Sequence, residues 1–318
     1  MVNKVSVVIP TYNREKLVSN AINSVLQQTR SVDEIIVVDD GSVDETKDVL
    51  SVYSDKIVYI YQNNAGIAAA RNTGIRAATG DWIAFLDSDD TWLEDKIQKQ
   101  EDALSSSGAE VCCGGHKTNL DHKYINLSPD LPMGEHHYYN DALNLIFEHN
   151  HHPLVQSMLI KKSLILKLGF FDETLAYAED TKFVYGIPFL AGISYINEPL
   201  FILNRTEIVS RSIDNRNIDI LLSRYECSCR IASDAYWQLI PRNAELAKKM
   251  QSNIGGYLCR MAEIHSFKRN GNLSRQYAIK GLKYTTSIKI IIRCLILLTM
   301  PWVLRKYLKR KLKIKMSK

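Results

Sequence analysis

The sequence predicts an α/β fold with a doubly wound, mostly parallel sheet and flanking helices, followed by a helical C-terminal region. Two observations carry this. Between Val5 and Leu86, short apolar runs rich in β-branched residues alternate with amphipathic segments, and each run stops at a small polar or acidic cluster. After about Ile213 the strand signals cease and three long helical patterns follow.

Val5 to Ile9 has the character of a buried parallel strand, and Pro10 is expected to stop it, which places Thr11, Tyr12 and Asn13 in the loop at its carboxyl end. A helix is expected from about Glu15 to Gln28, with Leu17, Ala21 and Val25 near one face. Glu34 to Val38 repeats the strand signal and ends in Asp39-Asp40-Gly41-Ser42. A helix from about Asp44 to Val52 then leads to a third strand, Ile57 to Tyr61. Asn64 or Gly66 can start the next helix and Gly80 can end it, while Ala68, Ala69 and Ala70 allow close approach to the sheet. Trp82 to Leu86 is the fourth strand, stopped by Asp87-Ser88-Asp89-Asp90. Ligands of such sheets bind beyond the carboxyl ends of the strands, where Tyr12, Asp40, Asp87 and Asp89 all fall.

Three carboxylates within four residues repel one another unless a positive charge sits between them. In an extended segment residues i and i+2 point to one side, so Asp87 and Asp89 can face one ligand. An oxygen-only set suits Mg2+ or Mn2+, which usually share their coordination with substrate phosphates. The competing reading is a turn whose acids cap the next helix, the role expected of Asp90. Arg71, about one turn into its helix, can reach a diphosphate at the sheet edge or else form a surface salt bridge.

Beyond Asp90 a helix is expected from about Leu93 to Ser105 and a short strand over Val111-Cys112-Cys113. The stretch from His116 to Pro153 is polar and irregular and holds seven of the eight histidines, which read as solvated loop residues more readily than as a metal site. Val155 to Ile160 is strand-like, a short helix surrounds Leu164 to Leu168, and Gly169-Phe170-Phe171-Asp172-Glu173 follows. Ala178-Glu179-Asp180 opens another helix, where two acids complement the macrodipole. Gly192 to Ile196 and Pro199 to Leu203 read as two closing strands, and Ile218 to Ile240, Ala244 to Lys268 and Leu273 to Tyr284 as helices.

Composition is that of an ordinary globular protein: 318 residues, 46% hydrophobic and 24% charged. The net charge of +5 hides an asymmetry, since Arg293 to Lys318 carries nine Lys or Arg and no acid, leaving 5 − 9 = −4 for the rest. That distribution argues against a nucleic-acid-binding core and for a surface-binding tail. Six cysteines without a Cys-Xaa-Xaa-Cys pair argue against a disulfide framework or zinc site, and no basic segment followed by an apolar core opens the chain, so a cytoplasmic location is expected. The uncharged run Cys294 to Leu304 is 11 residues, short of the roughly 20 that span a bilayer. With Trp302 and the basic tail it reads as an amphipathic segment lying on the inner face of the cell membrane, against the alternative of a packing helix.

Four motifs together carry a family resemblance: Val8-Ile9-Pro10-Thr11-Tyr12-Asn13, Val38-Asp39-Asp40-Gly41-Ser42, Gly66 with Ala70-Arg71-Asn72 and Gly74, and Leu86-Asp87-Ser88-Asp89-Asp90. In that order and spacing they resemble inverting family 2 glycosyltransferases of the GT-A fold, the bacterial polysaccharide type. The resemblance implies that Pro10, Tyr12 and Asp40 hold the base of a nucleotide sugar, with Arg71 and Asp87 also on the nucleotide and Asp89 on a Mn2+ or Mg2+ ion. It places the general base on Asp180, with Glu179 beside it. Gly169-Phe170-Phe171-Asp172-Glu173 is similar to the family's Gly-Gly-Phe-Asp-Glu stretch, with Phe170 in place of its second glycine. Many relatives carry an aromatic–Arg pair and a histidine in a loop over the diphosphate; Leu203-Asn204-Arg205-Thr206-Glu207 lacks the histidine and leaves Arg205 as the phosphate contact.

The implied activity is transfer of a sugar from a nucleotide donor, UDP-linked, to a hydroxyl of a glycan or lipid-linked glycan. The alternatives are a catalytically silent membrane-associated nucleotide-sugar-binding module and a sugar-phosphate nucleotidyltransferase, although Pro10-Thr11-Tyr12-Asn13-Arg14 is not the glycine-rich loop the latter needs. The expected organisation is a catalytic domain over 1–212, a helical extension over 213–286 and a membrane-associating tail over 287–318.

Overall fold

The structure is a computed structural model that describes residues 4–119, 124–125, 131–147, 153–204 and 217–302, with residues 124–125 described as backbone only. The chain divides into two compact units. One comprises Met1–Glu173 and Glu179–Ile208, the other Thr174–Ala178 and Val209–Lys318.

The first unit opens with β1 (Val5–Thr11), α1 (Val18–Leu26), β2 (Glu34–Asp39), α2 (Thr46–Ser51), β3 (Val58–Tyr61), α3 (Ile67–Ala77) and β4 (Trp82–Phe85). It continues through β5 (Thr91–Trp92), α4 (Lys96–Ser107), β6 (Val111–Thr118), β7 (Tyr124–Ile125), β8 (His136–Tyr139) and α5 (Leu143–Phe147). A 3-10 turn (Val155–Ser157), β9 (Leu159–Lys161), α6 (Lys162–Leu168), α7 (Glu179–Gly186) and β10 (Ile193–Leu203) complete it. The sheet runs β3-β2-β1-β4-β9-β6-β10-β5, with β7 paired to β6 and β8 to β10. β1 to β4 are mutually parallel, as are β6 and β10, while β9 runs antiparallel between β4 and β6.

The order 3-2-1-4 follows from the side chains. Val5, Val7 and Ile9 face α1 and join Val18, Ala21, Ile22 and Val25 in the core. On the opposite face Val8 receives α3, whose Gly74 lies so close that an added Cβ would stand 2.4 Å from Val8 Cγ1. Chain order reverses between β1 and β4, the position at which a doubly wound sheet opens a crevice at its carboxyl edge.

Three sequence expectations change. Pro10 does not stop β1: the strand continues to Thr11, paired with β2 as Pro10↔Val38 and Thr11↔Asp39. Val8 is the last residue of β1 that pairs with β4, and the missing N–H of Pro10 falls on that side, just past the end of the ladder. The two expected closing strands are a single strand, β10, with register shifts around Pro199 that absorb the irregular Asn197-Glu198 segment. The strand expected from Val155 begins only at Leu159, after the 3-10 turn.

The second unit is helical: α8 (Ile218–Leu239), α9 (Ala244–Phe267), α10 (Gly271–Tyr284) and α11 (Ile288–Thr299). Asn217, Asn243 and Asn270 cap α8, α9 and α10 by accepting backbone N–H groups with their side chains. The segment expected as a separate tail from residue 287 begins instead as α11, whose Cys294 and Leu297 pack with Cys259 and Ala262 of α9 and Ala278 of α10. An inward apolar stripe is enough to hold it there. Residues 303–318 of the expected tail lie outside the described residues.

Candidate active site

The carboxyl edge of β1, β2 and β4 gathers most of the residues nominated from sequence. After β1, Asn13 takes a left-handed φ of 51°. Its N–H donates to Ser42 Oγ at 2.9 Å and its Oδ1 accepts from Val43 N at 2.9 Å, while Arg14 N donates to Thr46 Oγ1 at 2.9 Å. The loop after β1 is thereby fastened to the turn after β2. Pro10 is buried beneath it and Tyr12 stands out from it, 37% exposed, with its ring free to pack on a planar ligand.

Asp40, nominated for the nucleotide base, is largely engaged by the protein. Its Oδ1 accepts from Gln62 Nε2 at 2.7 Å and Ala65 N at 2.9 Å, and its Oδ2 accepts from Gly66 N at 2.9 Å. Gly66 caps α3, so this buried carboxylate stands at a helix N-terminus and shapes the β3–α3 loop. Of about four lone-pair positions on a carboxylate, one remains for a ligand.

Arg71 departs furthest from expectation. It is neither a surface ion pair nor an open diphosphate ligand but a buried bridge, 2% exposed. One Nη donates to Asp87 Oδ1 at 2.8 Å and the other to Glu179 Oε1 at 2.8 Å. Its guanidinium carbon lies 5.3 Å from the centroid of Phe171, which stacks on Phe183 and meets Phe85 edge-on. Burial opposes the charge, but the carboxylates of Asp87, Glu179 and Asp180 overcome it and the guanidinium is held firmly cationic. Ala68, Ala69 and Ala70, which precede Arg71, are buried with it on α3.

The carboxylate cluster resolves into three roles. Asp87 has both oxygens engaged, one by Arg71 and the other by Gln156 Nε2 at 2.5 Å. Asp90 is no helix cap: Asp95 occupies the N-cap of α4, and Asp90 Oδ1 accepts from Asn204 N at 2.8 Å, tying the cluster to the end of β10. Burial, then the charges of Asp87 and Asp89, push the Asp90 carboxyl up to about 8. Only Asp89 presents its carboxylate outward, 32% exposed and 3.4 Å from Arg14 across the β1–β4 crevice. Burial and the neighbouring Asp87 raise its pKa while Arg14 opposes them.

Glu179 and Asp180 open α7. Burial raises the Glu179 pKa and the Asp180 charge adds to this, with Arg71 pulling the other way. Asp180 accepts from Thr181 N at 2.6 Å and lines a 20 Å³ recess with Pro153, Leu154, Thr181, Val184 and Tyr185. The turn before α7 is held to α3 by Asn72, which donates to Phe171 O at 2.9 Å and accepts from Phe171 N at 2.8 Å. Lys182 adds an ion pair to Asp172 at 2.7 Å. Phe170, where the resembled family has glycine, carries a φ of 40°.

Gln156, Arg14 and Asn72 were not nominated from sequence. Gln156 had no local signal, because its two carboxylates lie 69 and 66 residues away. Arg14 was legible as a cation beside Tyr12. Thr11 Oγ1, Arg71 Nε and Gln156 Oε1 are buried at this edge without a hydrogen-bond partner in the protein, the condition of groups that await a ligand or ordered water.

Other nominated features lie elsewhere. Arg205, His122, His149, His151 and His152 are outside the described residues. His116 is not a loop residue but a buried member of β6 stacked on Phe201 at 5.2 Å. His136 meets Ser106 and His137 meets Tyr139. No group of three or more His, Cys, Asp or Glu positioned to hold a metal occurs among the described residues. A 780 Å³ groove along α1 and β5, lined by Asn20, Gln27, Trp92, Asp95, Lys99 and Glu198, contains none of the nominated residues.

The family model of glycosyl transferase family 2 matches residues 6–169, just over half of the chain, and the chain belongs to that family. Among its relatives, an uncharacterized glycosyltransferase of Rickettsia prowazekii (strain Madrid E) is 35% identical over 182 residues, covering 55% of this chain and 56% of that protein. TuaG of Bacillus subtilis (strain 168), a glycosyltransferase whose name assigns it to teichuronic acid biosynthesis, is 43% identical over 149 residues, covering 44% of this chain and 56% of that protein. The chain thus spans about half the length of these curated relatives. Crystal structures of S. aureus TarS 1-349 share the fold. The complex with UDP gives a TM-score of 0.66 at 19% identity over 98% of this chain and 91% of that one. The complex with UDP-GlcNAc gives 0.66 at 20% identity over 99% and 93%. The fold is GT-A with a C-terminal helical region.

Proposed function

We propose that the chain transfers a sugar from a UDP-linked donor to a hydroxyl of a glycan or lipid-linked glycan, with inversion at the anomeric carbon. The observation that carries the reading is the Asp87–Arg71–Glu179 bridge, which ties the carboxyl end of β4 to the start of α7 and so sets Asp180 beside the carboxylate cluster. Tyr12 supplies a ring for the base, and Pro10 with the one free position on Asp40 completes that side. The UDP and UDP-GlcNAc complexes of TarS, a protein of the same fold, and the polysaccharide role in the name of TuaG support the donor and acceptor classes.

The donor set fits a divalent cation only in part, and in an informative way. One outward carboxylate, Asp89, with no cluster of further protein ligands among the described residues, would suit Mg2+ or Mn2+, ions that usually share their coordination with substrate phosphates. Such an ion supplies charge neutralisation to the departing diphosphate. Asp180 accepts the proton of the acceptor hydroxyl as that oxygen bonds to the anomeric carbon and the bond to the diphosphate oxygen breaks. Arg71 and Glu179 hold the α7 terminus in position.

Purified protein with a panel of nucleotide sugars and Mn2+ tests this directly. A UDP-sugar is expected to raise the melting temperature, the effect is expected to vanish with EDTA, and transfer to a glycan acceptor is expected to release UDP. Asp180→Asn is expected to lower kcat by about a thousandfold while donor binding persists. Full transfer activity in Asp180→Asn would refute the assignment of the base. Donor binding without any hydrolysis or transfer in the unmodified protein would favour a silent binding module instead.

A further inference from the structure

α11 is apolar on two sides, and only one of them is covered. Ile290, Cys294 and Leu297 turn toward α9 and α10. Ile288, Ile292 and Leu295, spaced by four and three residues, form a second stripe that is 73%, 50% and 47% exposed, and Trp302, 65% exposed, follows just past the end of the helix. A helix buried within one unit needs no second stripe, and leaving four large apolar side chains in water marks a contact surface.

Charge identifies the occupant. From Gly271 to Lys318 there are thirteen Lys or Arg and no Asp or Glu, so residues 1–270 sum to 5 − 13 = −8. Arg275, Lys280, Lys283 and Lys289 of this stretch are exposed on α10 and α11. A second copy of the chain would bring two such cationic segments together, whereas a bilayer with anionic headgroups offers both the opposite charge and an apolar layer. No helix among the described residues is long and apolar enough to cross a membrane, so contact is from the surface. Trp302 has the amphipathic ring favoured at headgroup level.

We infer that the outward stripe of α11 docks into the interface of an anionic phospholipid bilayer, with Arg275, Lys280, Lys283 and Lys289 facing the headgroups. α11 therefore serves two partners, packing on its own unit with one face and on lipid with the other. This stands apart from the transfer reaction, and its test reads partition rather than activity.

The experiment is co-sedimentation of the full chain with phosphatidylcholine vesicles, with and without phosphatidylglycerol, at low and high salt. Binding is expected only with phosphatidylglycerol, weakening with salt. Ile292→Glu/Leu295→Glu is expected to lower partition about tenfold or more, with little change in melting temperature because the two side chains are 50% and 47% exposed. Val43→Glu, which alters an exposed apolar residue of the other unit, is expected to leave partition unchanged. Trp302 fluorescence, taken as the difference from Trp302→Phe, is expected to shift blue on anionic vesicles. No binding to anionic vesicles, or equal binding by the double variant, overturns the proposal. So does light scattering that shows a dimer broken by that variant in the absence of vesicle binding, which would assign the stripe to a second copy.

Discussion

Each unit buries a three-membered ion system, and the two are inverted. In the sheet unit one cation, Arg71, lies between two acids, Asp87 and Glu179. In the helical unit one acid, Glu263, lies between two cations, Arg260 at 3.0 Å and Arg293. Arg71 is 2% exposed and its partners 21% and 12%, whereas the partners of Glu263 are 36% and 30% exposed. The helical system joins residues 3 and 30 positions apart on packed helices, and its arginines can turn to water. The sheet system joins residues 16 and 108 positions apart at the ligand edge, where the acids cannot escape one another. A buried ion system is costly, and its location tells whether that cost serves packing or a site.

Removing the central charge from each separates the cases. Arg71→Leu is expected to destabilise the sheet unit by about 3–5 kcal/mol, because two largely covered carboxylates, 21% and 12% exposed, lose their buried counter-charge. Arg71→Lys is expected to recover much of the stability but little of the transfer rate, since an ammonium lacks the fork that engages two acids at once. Glu263→Gln is expected to cost only about 1 kcal/mol, as the freed arginines rehydrate. Calorimetry of the variants checks all three, and equal losses for Arg71→Leu and Glu263→Gln would erase the distinction.

The same contrast explains what was legible in the sequence. Strands β1 to β4 and their acidic ends are local patterns, and apart from β1 running on through Pro10 they stand close to where the patterns put them. Arg71 was recognised as a functional position, yet its partner Glu179 and its aromatic cover Phe171 arrive through long-range packing that no local window contains. Asp40 lies at the carboxyl edge of β2, where its position after the strand put it, while Asp90, expected as a helix cap, is bonded to Asn204 instead. Their partners Ala65, Gly66 and Asn204 are backbone N–H groups, which sequence does not display. Gln156 was invisible because a glutamine in an apolar run carries no sign of the carboxylates it will meet.

A second buried cation in the sheet unit tests whether burial alone moves a charge. Lys96 is fully buried, with its Nζ 2.6 Å from Gln100 Oε1, 4.3 Å from the centroid of Trp92 and no carboxylate among its hydrogen-bond partners. Burial pushes its pKa down to about 7. The unfolded chain, with an ordinary lysine near 10.4, then binds more protons than the folded one between those values, so this group's contribution raises stability as pH climbs from about 7. Lys96→Met is expected to be more stable than the unmodified protein at pH 6, and the difference is expected to shrink by up to about 1.4 kcal/mol per pH unit above 7. A difference that stays constant from pH 6 to pH 9 would mean that Lys96 keeps its charge by finding water.

The smallest expected effects compare strain in the two units. Phe170 and Arg269 are both non-glycine residues with left-handed φ, 40° and 62°. Arg269 follows the last turn of α9, where glycine is favoured because it has no Cβ to crowd the backbone, and Arg269→Gly is expected to gain about 1 kcal/mol. Phe170→Gly relieves the same conflict but also removes the ring that Arg76 covers at 4.8 Å, a contact worth about 0.5 kcal/mol at a partly exposed site. Its expected gain is therefore nearer to about 0.5 kcal/mol. Since Asn72 holds the adjacent Phe171 backbone at both N–H and C=O, the turn should keep its shape and transfer activity should persist. Phe170→Gly that destabilises the protein or slows transfer would show that the ring itself fixes the approach to Glu179 and Asp180.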